Sequence, residues 1–149
     1  MAGLPVVTME GRLGADPDLR FTPSGVAVCS FNVVAQDRRK NESTGEWEDA
    51  GDPLWVRVSV WRQAAENCAE SLNKGDLVTV VGKLQQRNYT TSEGEQRKSL
   101  EINAYSVAAS LQFRSLVHSK RAAAQQKTGI YTPDPWSGSD EPLDDEPPF

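Results

Sequence analysis

No stretch of the 149 residues is apolar and long enough to span a bilayer. The opening MAGLPVVTMEGR lacks a basic segment followed by an apolar one, so no signal peptide is read. Cysteine is scarce: Cys29 and Cys68 stand far apart, with no CxxC spacing. That pattern resembles neither a disulfide framework nor a zinc site; a reduced, cytoplasmic setting is expected, with a single Cys29–Cys68 bridge as the alternative. Histidine occurs once, at His118. There is no Gly-rich phosphate loop, no Cys/His pair and no nucleophile motif. Carboxylates are plentiful but scattered. An enzyme is therefore not expected, nor a metal or other cofactor. Positive charge is also lacking. The formal charge is −5, which taken in bulk argues against a nucleic-acid binder.

The distribution of charge qualifies that. Residues 119–149 hold three basic and six acidic residues, −3 of the −5, which leaves −2 for the first 118. After Lys127 every charge is acidic, and the chain closes GSDEPLDDEPPF. This segment lacks periodicity and is rich in Gln, Ser, Pro, Gly and acid. Such a composition buries too little apolar surface to offset the entropy of ordering, so a disordered acidic C-terminal tail is expected.

The body reads as all-β with one helix. Residues 6–14 make a first strand, and 16–25 are turn-rich with a short extended piece inside. Residues 26–35 make a second strand, with Cys29, Phe31, Val33 and Ala35 on one face. The polar stretch 36–53 is expected as a long hairpin loop. LWVRVSVW, residues 54–61, is the third strand. RQAAENCAESL, 62–72, changes to helical spacing through Ala65, Cys68, Ala69 and Leu72, and Asn73–Gly75 is its stop. Residues 76–89 and 99–108 are the fourth and fifth strands, joined by a turn at 90–98. Five strands with a helix between the third and fourth is the connectivity of the oligonucleotide/oligosaccharide-binding (OB-fold) barrel, although other small barrels share the pattern.

The third strand has two unlike faces. Leu54, Val56, Val58 and Val60 suit the core, leaving Trp55, Arg57, Ser59 and Trp61 outside. On the fourth strand Val78, Val80, Gly82 and Leu84 suit the core, and Lys83, Gln85, Arg87 and Tyr89 share the other face. Rings interleaved with cations are what an unpaired nucleic-acid strand requires. Bases stack on Trp55, Trp61 and Tyr89 at about 1–3 kcal/mol each. Arg57, Lys83 and Arg87 meet phosphates and release counterions. Further phosphate contacts are expected from Arg38, Arg39 and Lys40 in the hairpin loop and from Arg97 and Lys98 after Tyr89. Trp47, flanked by acids in TGEWED, serves either as a stacker or as a loop-packing residue. The competing explanation for the outward tryptophans is a subunit interface or a covering helix.

These segments resemble the bacterial single-stranded DNA-binding protein family. GRLGADPDLRFTPSGVAVCSFNVVA is similar to its opening segment, and the run from TGEWEDAGDPLWVRVSVW to GKLQQRNYT to its middle. The resemblance implies an OB-fold domain over residues 1–118 assembled as a homotetramer around which single-stranded DNA wraps. It places Trp55, Trp61 and Tyr89 at stacking positions and Arg57 at a family arginine. It also puts Arg39 where the family often has an aromatic. There Arg39 acts as a cationic plane, or Trp47 substitutes, or a stacking site is lost. SLQFRSLVHSK resembles the actinobacterial branch and implies an extra strand over 111–118 that clamps subunits. Within the tail, residues 119–149, the ending Asp144, Asp145, Glu146, Pro147, Pro148, Phe149 resembles the family's tip for docking replication and repair proteins. Pro147 stands where isoleucine is common. The implied function is sequence-independent protection of single-stranded DNA in replication, recombination and repair, in association with the nucleoid. An OB-fold RNA-binding module and a purely structural oligomer are the rivals. Base stacking does not separate DNA from RNA, but an RNA module has no evident need of the DDEPPF tip.

Overall fold

The computed structural model describes residues 2–116. Contacts divide the chain into a compact unit of residues 1–114 and a second of 115–149. The first unit contains β1 (Val6–Leu13), β2 (Asp18–Phe21), β3 (Ala27–Lys40), β4 (Trp47–Trp61), α1 (Arg62–Ser71), β5 (Leu77–Thr90) and β6 (Gln96–Ala109). The strand order is β1-β5-β6-β4-β3-β2, and a further β1–β3 pairing through Arg12↔Val34 and Leu13↔Val33 closes the sheet into a barrel. Every pairing is antiparallel except β4 with β6.

The alternation read from the sequence produces the core. Val33, Val58, Val78 and Val80 are fully buried, with Val56, Val60, Phe31 and Ile102 beside them. Helix α1 adds Ala65 and Cys68, with Leu72 just beyond its end. Val56, Val58 and Val60 take the core as expected, but Leu54 is 49% exposed. It pairs with Ala35 at the last position before the β3–β4 ladder shifts register, where the strands leave the barrel. Gly82 lies at a register shift between β5 and β6, where a side chain would meet the backbone of Asn103 and Ala104. Only glycine allows two strands so close.

Two elements differ from the sequence reading. The short piece inside 16–25 is a true strand, β2, which pairs with β3 outside the closed ring. The ring itself keeps the five expected strands, and the helix between its third and fourth lies between β4 and β5. Residues 36–53 are not a loop. The β3–β4 ladder resumes at Asp37↔Ala50 and runs to Lys40↔Trp47, leaving a turn of 41–46. Both faces of this arm are polar, so it has no hydrophobic alternation to reveal it. Backbone pairing and the cross-strand pairs Arg38–Asp49 and Arg39–Glu48 hold it together. The β5–β6 hairpin likewise extends to a turn of 91–95, with Gly94 at φ +86.

After β6 the Ser110 amide donates to the Leu77 carbonyl, and Arg114 pairs with Asp76. Arg12 lies 5.6 Å over the Phe113 ring. Residues 111–116 pair with no strand among the described residues. The rest of the expected clamp strand, the tail and the tip at 144–149 lie outside the described residues.

Candidate nucleic-acid interface

Cross-strand partners project to the same side of a sheet, so the register maps the outer face. Arg57 lies between Asn32 of β3 and Glu101 of β6, and Ser59 between Ser30 and Asn103. On β5, Lys83, Gln85, Arg87 and Tyr89 face Asn103, Glu101, Ser99 and Arg97. The two strands that bear the predicted residues are therefore not neighbours. β6 is inserted between them and contributes a row of its own.

A groove of about 720 Å³ runs over this face, lined by Trp55, Arg57, Trp61, Arg87 and Tyr89 together with Ser30, Asn32, Ser59, Ser99, Leu100 and Glu101. The rings are 54%, 41% and 45% exposed for Trp55, Trp61 and Tyr89. Each is anchored on its strand and free over much of its surface. Trp61 is also the residue before α1, whose first residue, Arg62, has a left-handed φ of 60°.

The floor carries an acid. Glu101 is 8% exposed. It accepts from Gln85 at 3.4 Å and pairs with the Arg87 guanidinium at 3.4 Å. Arg87 stays largely exposed, so Glu101 orients it without burying it. Nothing at sequence level separated Glu101 from the other scattered carboxylates, because its significance is its place opposite Arg57.

The remaining expected residues divide by place. Lys83 shares the outer face but stands outside the groove. Trp47, 60% exposed, shares a face with Lys40 far along the β3–β4 arm. Arg38 donates to the Trp47 carbonyl at 3.1 Å and pairs with Asp49 at 3.4 Å. Arg39 is bound to Glu48 at 2.8 Å. Residues 36–52 hold three cations against six acids, a net of −3. Residues 83–101 hold Lys83, Arg87, Arg97 and Lys98 against Glu93, Glu95 and Glu101, a net of +1. Arg97 pairs with Glu95 at 3.0 Å and lies opposite Tyr89, and Lys98 opposite Asn88. By charge count the β5–β6 side is thus more positive than the β3–β4 arm.

Both cysteines are buried and free. Burial pushes the Cys29 thiol up to about 11, with Cys68 and Asp18 adding to it, and burial raises Cys68 as well. They behave as small core residues and not as nucleophiles. Among the described residues no group of His, Cys, Asp or Glu is arranged to hold a metal ion, and no helix is long and apolar enough to cross a membrane.

Residues 5–112 match the model of the Single-strand binding protein family. A "Single-stranded DNA-binding protein" of Mycobacterium tuberculosis strain H37Rv is 42% identical over 165 aligned positions covering 100% of both chains. Its namesake in Mycolicibacterium smegmatis is 40% identical, again over 100% of both. "Single-stranded DNA-binding protein 2" of Streptomyces coelicolor is 50% identical over 74% of this chain and 55% of its own. Among solved structures, the small single-stranded DNA-binding protein from Streptomyces coelicolor superposes with a TM-score of 0.66. It is 26% identical and covers 74% of this chain and 97% of its own.

Proposed function

We propose that this chain, which belongs to the Single-strand binding protein family, binds single-stranded DNA along the groove between β3, β4, β6 and β5. One observation carries the reading: Trp55, Trp61 and Tyr89 are half-exposed around one groove that also contains Arg57 and Arg87. A duplex hides its base faces, whereas an unpaired strand offers each base as a π-surface. Stacking accepts any base, so binding is largely sequence-independent. Arg57 and Arg87 meet the backbone in the groove, and Lys83, Arg97 and Lys98 extend the cationic track along β5 and β6. The names of the mycobacterial relatives support the ligand.

The protein works by binding and not by catalysis. It coats and protects unpaired DNA in replication, recombination and repair, in the cytoplasm at the nucleoid, as a homotetramer. Asp144–Phe149 recruits replication and repair proteins. Phe149 offers an apolar anchor, and the preceding acids steer toward a basic pocket.

Titration of the full chain into a labelled dT oligomer, followed by fluorescence anisotropy, tests the ligand. Tight binding that weakens steeply with salt supports the proposal. No binding at high micromolar protein in low salt overturns it. Mass in solution with and without oligomer tests the tetramer.

A further inference from the structure

Gly14 follows β1 directly, at the end of the strand that closes the barrel. Its amide donates to the Asn32 carbonyl at 2.9 Å, and Leu13 before it pairs with Val33. The backbone here is tied to β3. Among the described residues the glycines in the left-handed region are Gly25, Gly45, Gly51, Gly75 and Gly94. Gly14 is not one of them, so an L residue would adopt its backbone conformation without strain. The reason for glycine lies in what stands beside it. A Cβ at Gly14 would lie 2.6 Å from Cζ3 and 3.1 Å from Cη2 of Trp55. Carbon atoms rest at about 3.5–4.0 Å. The hydrogen-bonded backbone cannot retreat, so the indole would have to move by about 1 Å to restore that spacing.

We infer that Gly14 is a positioning residue for the stacking site: its missing side chain lets the six-membered ring of Trp55 rest against the end of β1. Trp55 is 54% exposed, so few neighbours hold its rotamer, and the Gly14 backbone is one wall that does. A ring held before the ligand arrives loses less freedom on binding than one that must be ordered then. This inference rests on the reading of the groove as the DNA-binding surface.

The test is the affinity of the full chain for a labelled dT oligomer, measured by anisotropy for wild type, Gly14→Ala, Trp55→Phe and the double variant. Phenylalanine lacks the outer ring atoms that the new methyl would strike. Gly14→Ala is expected to bind roughly tenfold more weakly than wild type, within the value of one stacked base. The double variant is expected to match Trp55→Phe alone within about twofold, because the obstruction is gone. Wild-type affinity in Gly14→Ala overturns the inference. So does an equal loss in both backgrounds, which would place the effect of the methyl elsewhere. Should Gly14→Ala fail to fold, the comparison within the Trp55→Phe background decides alone, and a double variant that also fails to fold overturns the inference. A wild-type chain that does not bind removes the functional reading and this inference together. Either overturning result beside a wild type that binds removes this inference only.

Discussion

The Nε of Arg39 donates to Oε1 of Glu48 across the β3–β4 arm at 2.8 Å. Asn41 reaches the other oxygen of the same carboxylate at 3.3 Å. Arg39 occupies the place where the resemblance leads one to expect a ring, and its charge is already matched. With Arg38 on Asp49, both arginines of an arm of net −3 are engaged with protein.

Substitution on this arm is therefore expected to matter less than in the groove. Arg39→Ala should change dT affinity by less than about threefold, since an exposed ion pair contributes little. Arg57→Ala should weaken binding and lower the slope of log K against log salt by about one phosphate contact. Affinities across a salt series check both. Equal slopes for Arg57→Ala and wild type would remove Arg57 from the phosphate track.

The paired change Trp55→Ala with Trp61→Ala should lose about 2–6 kcal/mol, two stacked bases at roughly 1–3 each. Neither ring lies in the core, so thermal unfolding should shift by only a few degrees. If the double variant binds dT oligomers as wild type does, the assigned face is wrong.

The cysteines predict an alkaline limit. Burial favours the neutral thiol, so the folded Cys29 holds its proton up to about 11, against 9.0 for a solvated thiol. The folded pKa is raised, so its contribution to stability is complete below pH 9 and is lost as pH rises through 11. Denaturant unfolding at pH 8, 9.5 and 10.5 should show falling stability, and Cys29→Ala should flatten the fall. Both thiols should resist a thiol reagent at pH 8 until the protein unfolds.

Removing Asp144–Phe149 should leave barrel and groove intact and abolish capture of replication and repair proteins in a pull-down. The same deletion removes three negative charges, those of Asp144, Asp145 and Glu146. If the tip competes for the cationic track when DNA is absent, truncation raises affinity at low salt. Unchanged pull-downs would reduce the tip to a solubilising segment.

Hydrophobic periodicity was legible wherever one face of a strand meets the core. It marked Cys29, Phe31 and Val33, the valines of β4, and Val78 with Val80, and it separated Trp55, Arg57 and Trp61 from them. Period 2 along a strand depends on local geometry alone. It failed on the β3–β4 arm, where both faces are wet and pairing is carried by backbone groups that every residue has. Leu54 was misplaced for the same reason: alternation continues past the point where the barrel ends. The short β2 was legible only as an extended piece, because four residues in a turn-rich stretch show no period.

The sequence by itself determined the composition of the site, because a ring set opposite a valine row on an alternating strand has to face outward. It also suggested the chemistry proposed for that face, since exposed rings beside cations suit unpaired bases. Only the tertiary structure decided the neighbours. The insertion of β6 between β4 and β5 brings Glu101 opposite Arg57 and within reach of Arg87, across separations in sequence that no local pattern spans. The same closure brings Gly14, at the end of β1, against the ring of Trp55. Which strands become adjacent depends on closing the whole sheet, and contacts between them are properties of that closure.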